Sequence, residues 1–148
     1  MEELISRALK KADAAELCKM GNETTILKSV LDKIESSDSR ESVGYSLRVL
    51  KNGRTGFSYF TKEKEFDSAL ERAIASSKHA KKLGMKFAEK RDFKKMNLYD
   101  PNVVNRTEEE LREDLLMLVD TVMDKKVNPV QCGVSKAVSS FNMVNSEG

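Results

Sequence analysis

One histidine limits the chemistry this chain can support. His79 lies between Lys78 and Lys81, on the basic side of a predicted helix. A zinc site draws on three or four His, Cys or carboxylate ligands, and nothing near His79 has suitable spacing. A Ser-His-Asp or Cys-His set has only this imidazole to build on. His79 is therefore read as a solvent-exposed side chain, and the sequence nominates no catalytic, cofactor-binding or metal-ligating residue. Cys18 and Cys132 show neither pairing nor metal-ligand spacing, so both read as buried free thiols. Gly53 and Gly56 punctuate a hairpin rather than open a helix, which rules out a phosphate-cradling loop. Asn22-Glu23-Thr24 and Asn105-Arg106-Thr107 match the glycosylation acceptor pattern, but no export signal supports it.

One constellation remains. Lys78, Lys81, Lys82, Lys86, Lys90, Arg91, Lys94 and Lys95 form a basic run, opposed by Glu89 and Asp92 and interleaved with Phe87 and Phe93. Such a run gives salt-dependent, sequence-blind affinity for phosphates. A solvated helix end followed by a loop accounts for it more simply. A non-enzymatic DNA- or RNA-associated module is the alternative reading. The whole-molecule charge of +2 points to no nucleic-acid or membrane partner.

The 148 residues fit one ordinary domain, and 39% hydrophobic with 34% charged residues suits a soluble protein with a charged surface. No apolar run approaches the roughly 18 residues of a membrane span. Met1-Glu2-Glu3-Leu4-Ile5 carries acids where a secretory signal would carry bases. The cytoplasm is the expected location.

The elements group around residues 43–60. Val43, Tyr45, Leu47 and Val49 alternate as in a half-buried strand. Asn52-Gly53 suits a two-residue type I′ turn, which needs φ > 0 twice. Thr55, Phe57 and Tyr59 then share one face of a returning strand, and Arg54, Gly56, Ser58 and Phe60 the other. A ribbon of two strands is marginal alone, so further strands and a helix must cover it. Leu4, Ile5, Ala8, Leu9 and Ala12 predict an amphipathic helix over 2–12. Residues 14–20 predict a first strand closed by a turn at Gly21-Asn22. Within 24–36, Ile26, Leu27, Val30, Leu31 and Ile34 have helical spacing, while Thr24, Thr25, Ile26 and Val30 are β-branched; periodicity favours helix, leading into a bend over 36–42. Phe66, Ala69, Leu70, Ala73, Ile74, Ser77 and Ala80 predict a helix over 63–83 with Gly84 as its C′ residue. Residues 85–106 read as irregular, with Asp100-Pro101 as a turn signal. Thr107-Glu108-Glu109-Glu110 is a capping box opening a helix that Asn128-Pro129 stops. From Val130 the period returns to that of a strand.

Several strings, in this order, resemble the N-terminal domain of the TldD/PmbA family of zinc metallopeptidases, once described as modulators of DNA gyrase. Ala12-Asp13-Ala14-Ala15-Glu16-Leu17 is similar to the family's "GAD-x-AE-V", and Val43 to Val49 to its "GVGVRV" strand. Asn52-Gly53-Arg54-Thr55-Gly56-Phe57 resembles "DGRWGF", and Ala69 to Ala75 resembles "AL-x-x-AV-x-x-A". Asn145-Ser146-Glu147-Gly148 matches "NS-x-G". The likeness covers nearly the whole chain. It departs from the family at Leu31-Asp32-Lys33, where an Asn-Gly-like turn is common, and it still implies strands over 24–36.

The resemblance implies an α+β fold: a helix, antiparallel strands with the Asn-Gly hairpin, two helices, then further strands, the sheet covered by helices. The family's His-Glu-x-x-x-His motif is absent. The chain is therefore expected to be the N-terminal domain of a longer protein, inactive alone. Zinc would be expected in a C-terminal domain, if the parent is a catalytic subunit rather than a zinc-less one. The implied partners of the intact protein are a peptide substrate and a second TldD/PmbA-like subunit, in a homo- or heterodimer. An extended peptide adding to a sheet edge is the expected binding mode.

Overall fold

The structure is a computed structural model; it describes every residue except Asp32, Asp92, Phe93, Lys95, Met96, Asn97 and Asn128. The described elements are α1 (Glu2–Ala8), β1 (Ala14–Val30), β2 (Lys33–Lys51), β3 (Arg54–Phe60), a 3-10 turn (Glu63–Glu65), α2 (Phe66–Ser77), α3 (Pro101–Val104), α4 (Glu108–Asp124) and β4 (Gln131–Asn145). The strands form one sheet in the order β3-β2-β1-β4. The fold is α+β. The chain divides into two compact units, residues 1–21, 43–94 and 140–148, and residues 22–42 and 95–139.

In the first unit, β2 and β3 pair antiparallel from Tyr45↔Phe60 to Lys51↔Arg54. Asn52 and Gly53 join them with φ of 52° and 72°, values these two residue types tolerate. Leu17, Leu47, Val49, Phe60, Phe66 and Leu70 form the core between sheet and helices. Phe60 stacks on Tyr45 with centroids 4.8 Å apart and meets Phe66 edge-on at 5.9 Å. Each fully buried side chain of this size contributes about 1.5–3 kcal/mol through lost apolar exposure. Arg7 ties α1 to α2 by an ion pair with Asp67 and lies over the Phe66 ring. The second unit has a smaller core of Leu27, Leu111, Leu115 and Val119, with Ile34, Cys132 and Val134 packed on it.

Several expectations read from local patterning are corrected. No turn interrupts β1 at Gly21-Asn22. Gly21 serves close approach instead, since a Cβ there would stand 2.7 Å from Ser140 Oγ. Residues 24–30 are strand, as the family resemblance implied and against the helical periodicity: Thr25, Leu27 and Ser29 are buried in alternation. The helical spacing of Ile26, Val30 and Leu31 is incidental, as Val30 and Leu31 are exposed and Leu31 turns the chain with φ of 55°. No bend falls at 36–42, which is continuous strand, with Thr25 and Ser39 hydroxyls 3.2 Å apart across the β1–β2 pair. The predicted helix over 63–83 is helical only to Ser77. Ser76 and Ser77 hydroxyls turn back on the carbonyls of Ala73 and Ile74, and residues 81–83 straighten against the hairpin, Leu83 N donating to Gly53 O at 2.9 Å. Gly84 has no positive φ and caps nothing. The first helix also stops at Ala8, with residues 9–11 in turns.

Asp100 is more than a turn signal: its carboxylate accepts from Asn102 N and caps α3, with Pro101 in the first turn. The capping box at Thr107 is formed in both directions, Glu110 N donating to Thr107 Oγ1 at 3.2 Å and Thr107 N to Glu110 Oε2 at 2.7 Å.

Candidate functional site

His79 is exposed in the turns after α2. Among the described residues, no three His, Cys, Asp or Glu side chains gather where they could share a metal ion. Cys18 and Cys132 are free and half-buried. Partial burial pushes the Cys18 thiol above its ordinary pKa, outweighing a hydrogen bond to Ser46.

Lys78 follows α2, and Lys81, Lys82, Lys86, Lys90, Arg91 and Lys94 are exposed and lie outside the described helices. Lys95 lies outside the described residues, as do Asp92 and Phe93. Phe87, interleaved with these charges, is buried against Ala14 and Leu50 rather than offered to a base. The Arg48 guanidinium sits 5.4 Å from its ring centre and pairs with the buried Glu16.

Two of these lysines meet other cations that the linear reading missed. A cleft of about 350 Å³ opens beside the β2–β3 turn. Lys51, Asn52 and Arg54 line it from the hairpin, Ile74, Ser77 and Lys78 from the end of α2, and Lys82 from the chain beyond. Its walls are tied together: Arg54 and Lys82 form an antiparallel bridge, Arg54 Nη1 donates to Lys78 O at 2.7 Å, and Lys51 Nζ donates to Lys11 O. No sequence pattern announces this grouping, because a hairpin and a helix end 24 residues apart supply it.

The outer edge of β3 is closed. Ser76 Oγ accepts from Phe57 N at 2.9 Å and donates to the Phe57 or Ala73 carbonyl. Arg72 Nη2 donates to Tyr59 O at 3.1 Å. An edge whose main-chain groups are occupied cannot accept an added strand. Among the described strands, β4 is the other outer one, with one strand neighbour.

The "NS-x-G" residues act as a clip. Asn145 is buried; its Nδ2 donates to Ala88 O at 2.9 Å and its Oδ1 accepts from Glu147 N at 2.8 Å. Ser146 N donates to Ala15 O at 2.9 Å, and its hydroxyl accepts from Ala15 N.

Residues 15–77 match the profile of PmbA/TldA metallopeptidase domain 1. Across its whole length it shares its fold with TldE from Thermococcus kodakarensis, at a TM-score of 0.88 and 18% identity, covering 100% of this chain and 35% of that one. A Thermotoga maritima protein described as a candidate modulator of a DNA gyrase matches 99% of the chain at a TM-score of 0.87 and 14% identity, over 35% of its own length. An uncharacterized protein of Methanocaldococcus jannaschii is 28% identical over 120 residues, 78% of this chain and 27% of the relative. The chain thus spans about a third or less of the length of these relatives.

Proposed function

We propose that this chain is the N-terminal, non-catalytic domain of a longer cytoplasmic TldD/PmbA-like metallopeptidase that processes peptides or proteins. The observation that carries this reading is the coverage: all of this chain corresponds to about a third of TldE. In this reading zinc belongs to a further domain, where it would supply an activated water. This domain's own residues enclose the peptide site and contact a second, related subunit. With the β3 edge occupied by Ser76 and Arg72, β4 is the strand along which the sheet continues or an extended peptide adds. No helix among the described residues is long and apolar enough to cross a membrane.

The test compares the isolated chain with the product of its full reading frame on an unstructured peptide. The longer protein, alone or with its related subunit, is expected to cleave the peptide and to lose that activity to a chelator. The isolated chain is expected to cleave nothing. Chelator-sensitive cleavage by the 148 residues alone would refute the assignment.

A further inference from the structure

We propose that the cleft beside the β2–β3 turn is a binding site for a small phosphate-type polyanion, a role separate from peptide enclosure. Four cations, Lys51, Arg54, Lys78 and Lys82, line one concavity, and among the described residues no carboxylate lines it with them, the nearby Asp13 carboxylate being taken up by Asn52 N at 2.6 Å. A concave wall of one charge sign concentrates counter-ions of the other.

Part of this charge has a structural use. Arg54 satisfies a carbonyl at the end of α2, and Lys51 reaches Lys11 O. Those bonds also hold the two side chains in place before any ligand arrives, which lowers the ordering cost of binding. Lys78 and Lys82 have no such use: both are exposed, and among the described residues neither side chain enters a hydrogen bond or ion pair. The main-chain bond from Leu83 to Gly53 and the Arg54–Lys82 bridge fix the third wall against the turn.

The size and charge of the site select the ligand class. About 350 Å³ lies at the small-ligand end of the range for pockets, too little for a macromolecular strand to bury in. Each phosphate carries about 1.5 to 2 negative charges near neutral pH, so a two-phosphate anion balances four cations. Arg54 presents a planar fork and the lysines supply mobile point charges, the usual pair of tools for phosphate oxygens.

Calorimetric titration of pyrophosphate into the chain, at fixed ionic strength, tests the site. One-site binding is expected, with amide shifts in a parallel NMR titration centred on Asn52, Arg54 and Ser77. The exposed double variant Lys78→Ala/Lys82→Ala is expected to lose about tenfold or more in affinity, as charge-assisted hydrogen bonds to an anion are removed. Lys90→Ala/Arg91→Ala removes the same charge outside the cleft and is expected to bind as the parent does. Absence of pyrophosphate binding, or equal weakening in both variants, would overturn the proposal. Tighter binding of duplex DNA that pyrophosphate does not displace would also overturn it, in favour of a nucleic-acid surface.

Discussion

Gly56 meets Ala73 backbone to backbone: a methyl group on Gly56 would overlap the Ala73 carbonyl and stand 2.9 Å from Ser77 Cβ. The closeness lets α2 lie along β3 and places Ser76 and Arg72 over the strand's outer edge. Gly56→Ala is therefore expected to cost about 3 kcal/mol, because the obstacle is backbone that cannot rotate aside. Gly44 is the control. Nothing lies within 4 Å of a Cβ there and its φ is not positive, so Gly44→Ala is expected to gain about 0.5 kcal/mol from reduced unfolded-state freedom. Urea midpoints of the two variants decide it; equal effects would show that α2 does not rest on Gly56.

The Thr107 cap makes a second prediction, about acid. Main-chain and hydroxyl donation by Thr107 holds the Glu110 carboxyl below its ordinary pKa, and donation by the main chain of Thr61 and Lys62 does the same for Glu65. A carboxyl whose folded pKa lies below its unfolded one contributes stability above the unfolded value. That contribution disappears as pH falls through the depressed folded value. Glu110→Gln and Glu65→Gln are each expected to flatten the loss of stability below the ordinary glutamate range, while Thr107→Ala costs about 1 kcal/mol across the range. Urea unfolding repeated from neutral to acid pH checks both; an unchanged acid slope in the Gln variants would contradict the cap geometry.

Local chemistry was legible where one residue type has one use. Thr107 with an acid at Glu110 declared a helix start, and the structure forms it atom for atom. Periodicity misled over residues 24–30, where only the family resemblance implied strand, because Ile26, Leu27 and Val30 fit a helical stripe while the true inner face is Thr25, Leu27 and Ser29. Two small polar residues on a core face carry no hydrophobic signal. The end of α2 was overrun for a related reason: apolar periodicity continues to Ala80, but Ser76, Ser77 and Arg54 redirect the backbone. The Ser-Ser pair was the signal available. Lys51 and Arg54 escaped notice as cleft residues because their partners Lys78 and Lys82 join them only through tertiary packing.

Ser29 gives a third prediction, of opposite sign to most core substitutions. It is 1% exposed, and its hydroxyl has no hydrogen-bond partner among the described residues. A buried unsatisfied hydroxyl costs on the order of 1–3 kcal/mol. Ser29→Ala keeps the volume and deletes the orphan, so it is expected to raise stability by about 1 kcal/mol. Leu27→Ala, two residues away on the same face, should cost about 2–5 kcal/mol by opening a cavity among Leu111, Leu115 and Val119. A destabilised Ser29→Ala protein would mean that the hydroxyl is satisfied after all.

The last prediction concerns what holds residues 85–90 down. This segment has no helix or strand, so its order depends on two side chains. Phe87 is 6% exposed between Ala14 and Leu50, under the Arg48 guanidinium that Glu16 orients. Asn145 anchors the next residue through Ala88 O. Local opening exposes Lys86 and Lys90 to trypsin, and the cleavage rate follows the opening equilibrium when closing is fast. Phe87→Ala removes the main anchor, so cleavage after Lys86 is expected to quicken by roughly tenfold or more, the effect of losing about 1.4 kcal/mol of local stability. Asn145→Ala should do the same to a smaller degree without disturbing the core of Leu47, Val49 and Phe66, which a parallel melting curve would report. If both variants are cut no faster than the parent, the segment is held by something other than this clip.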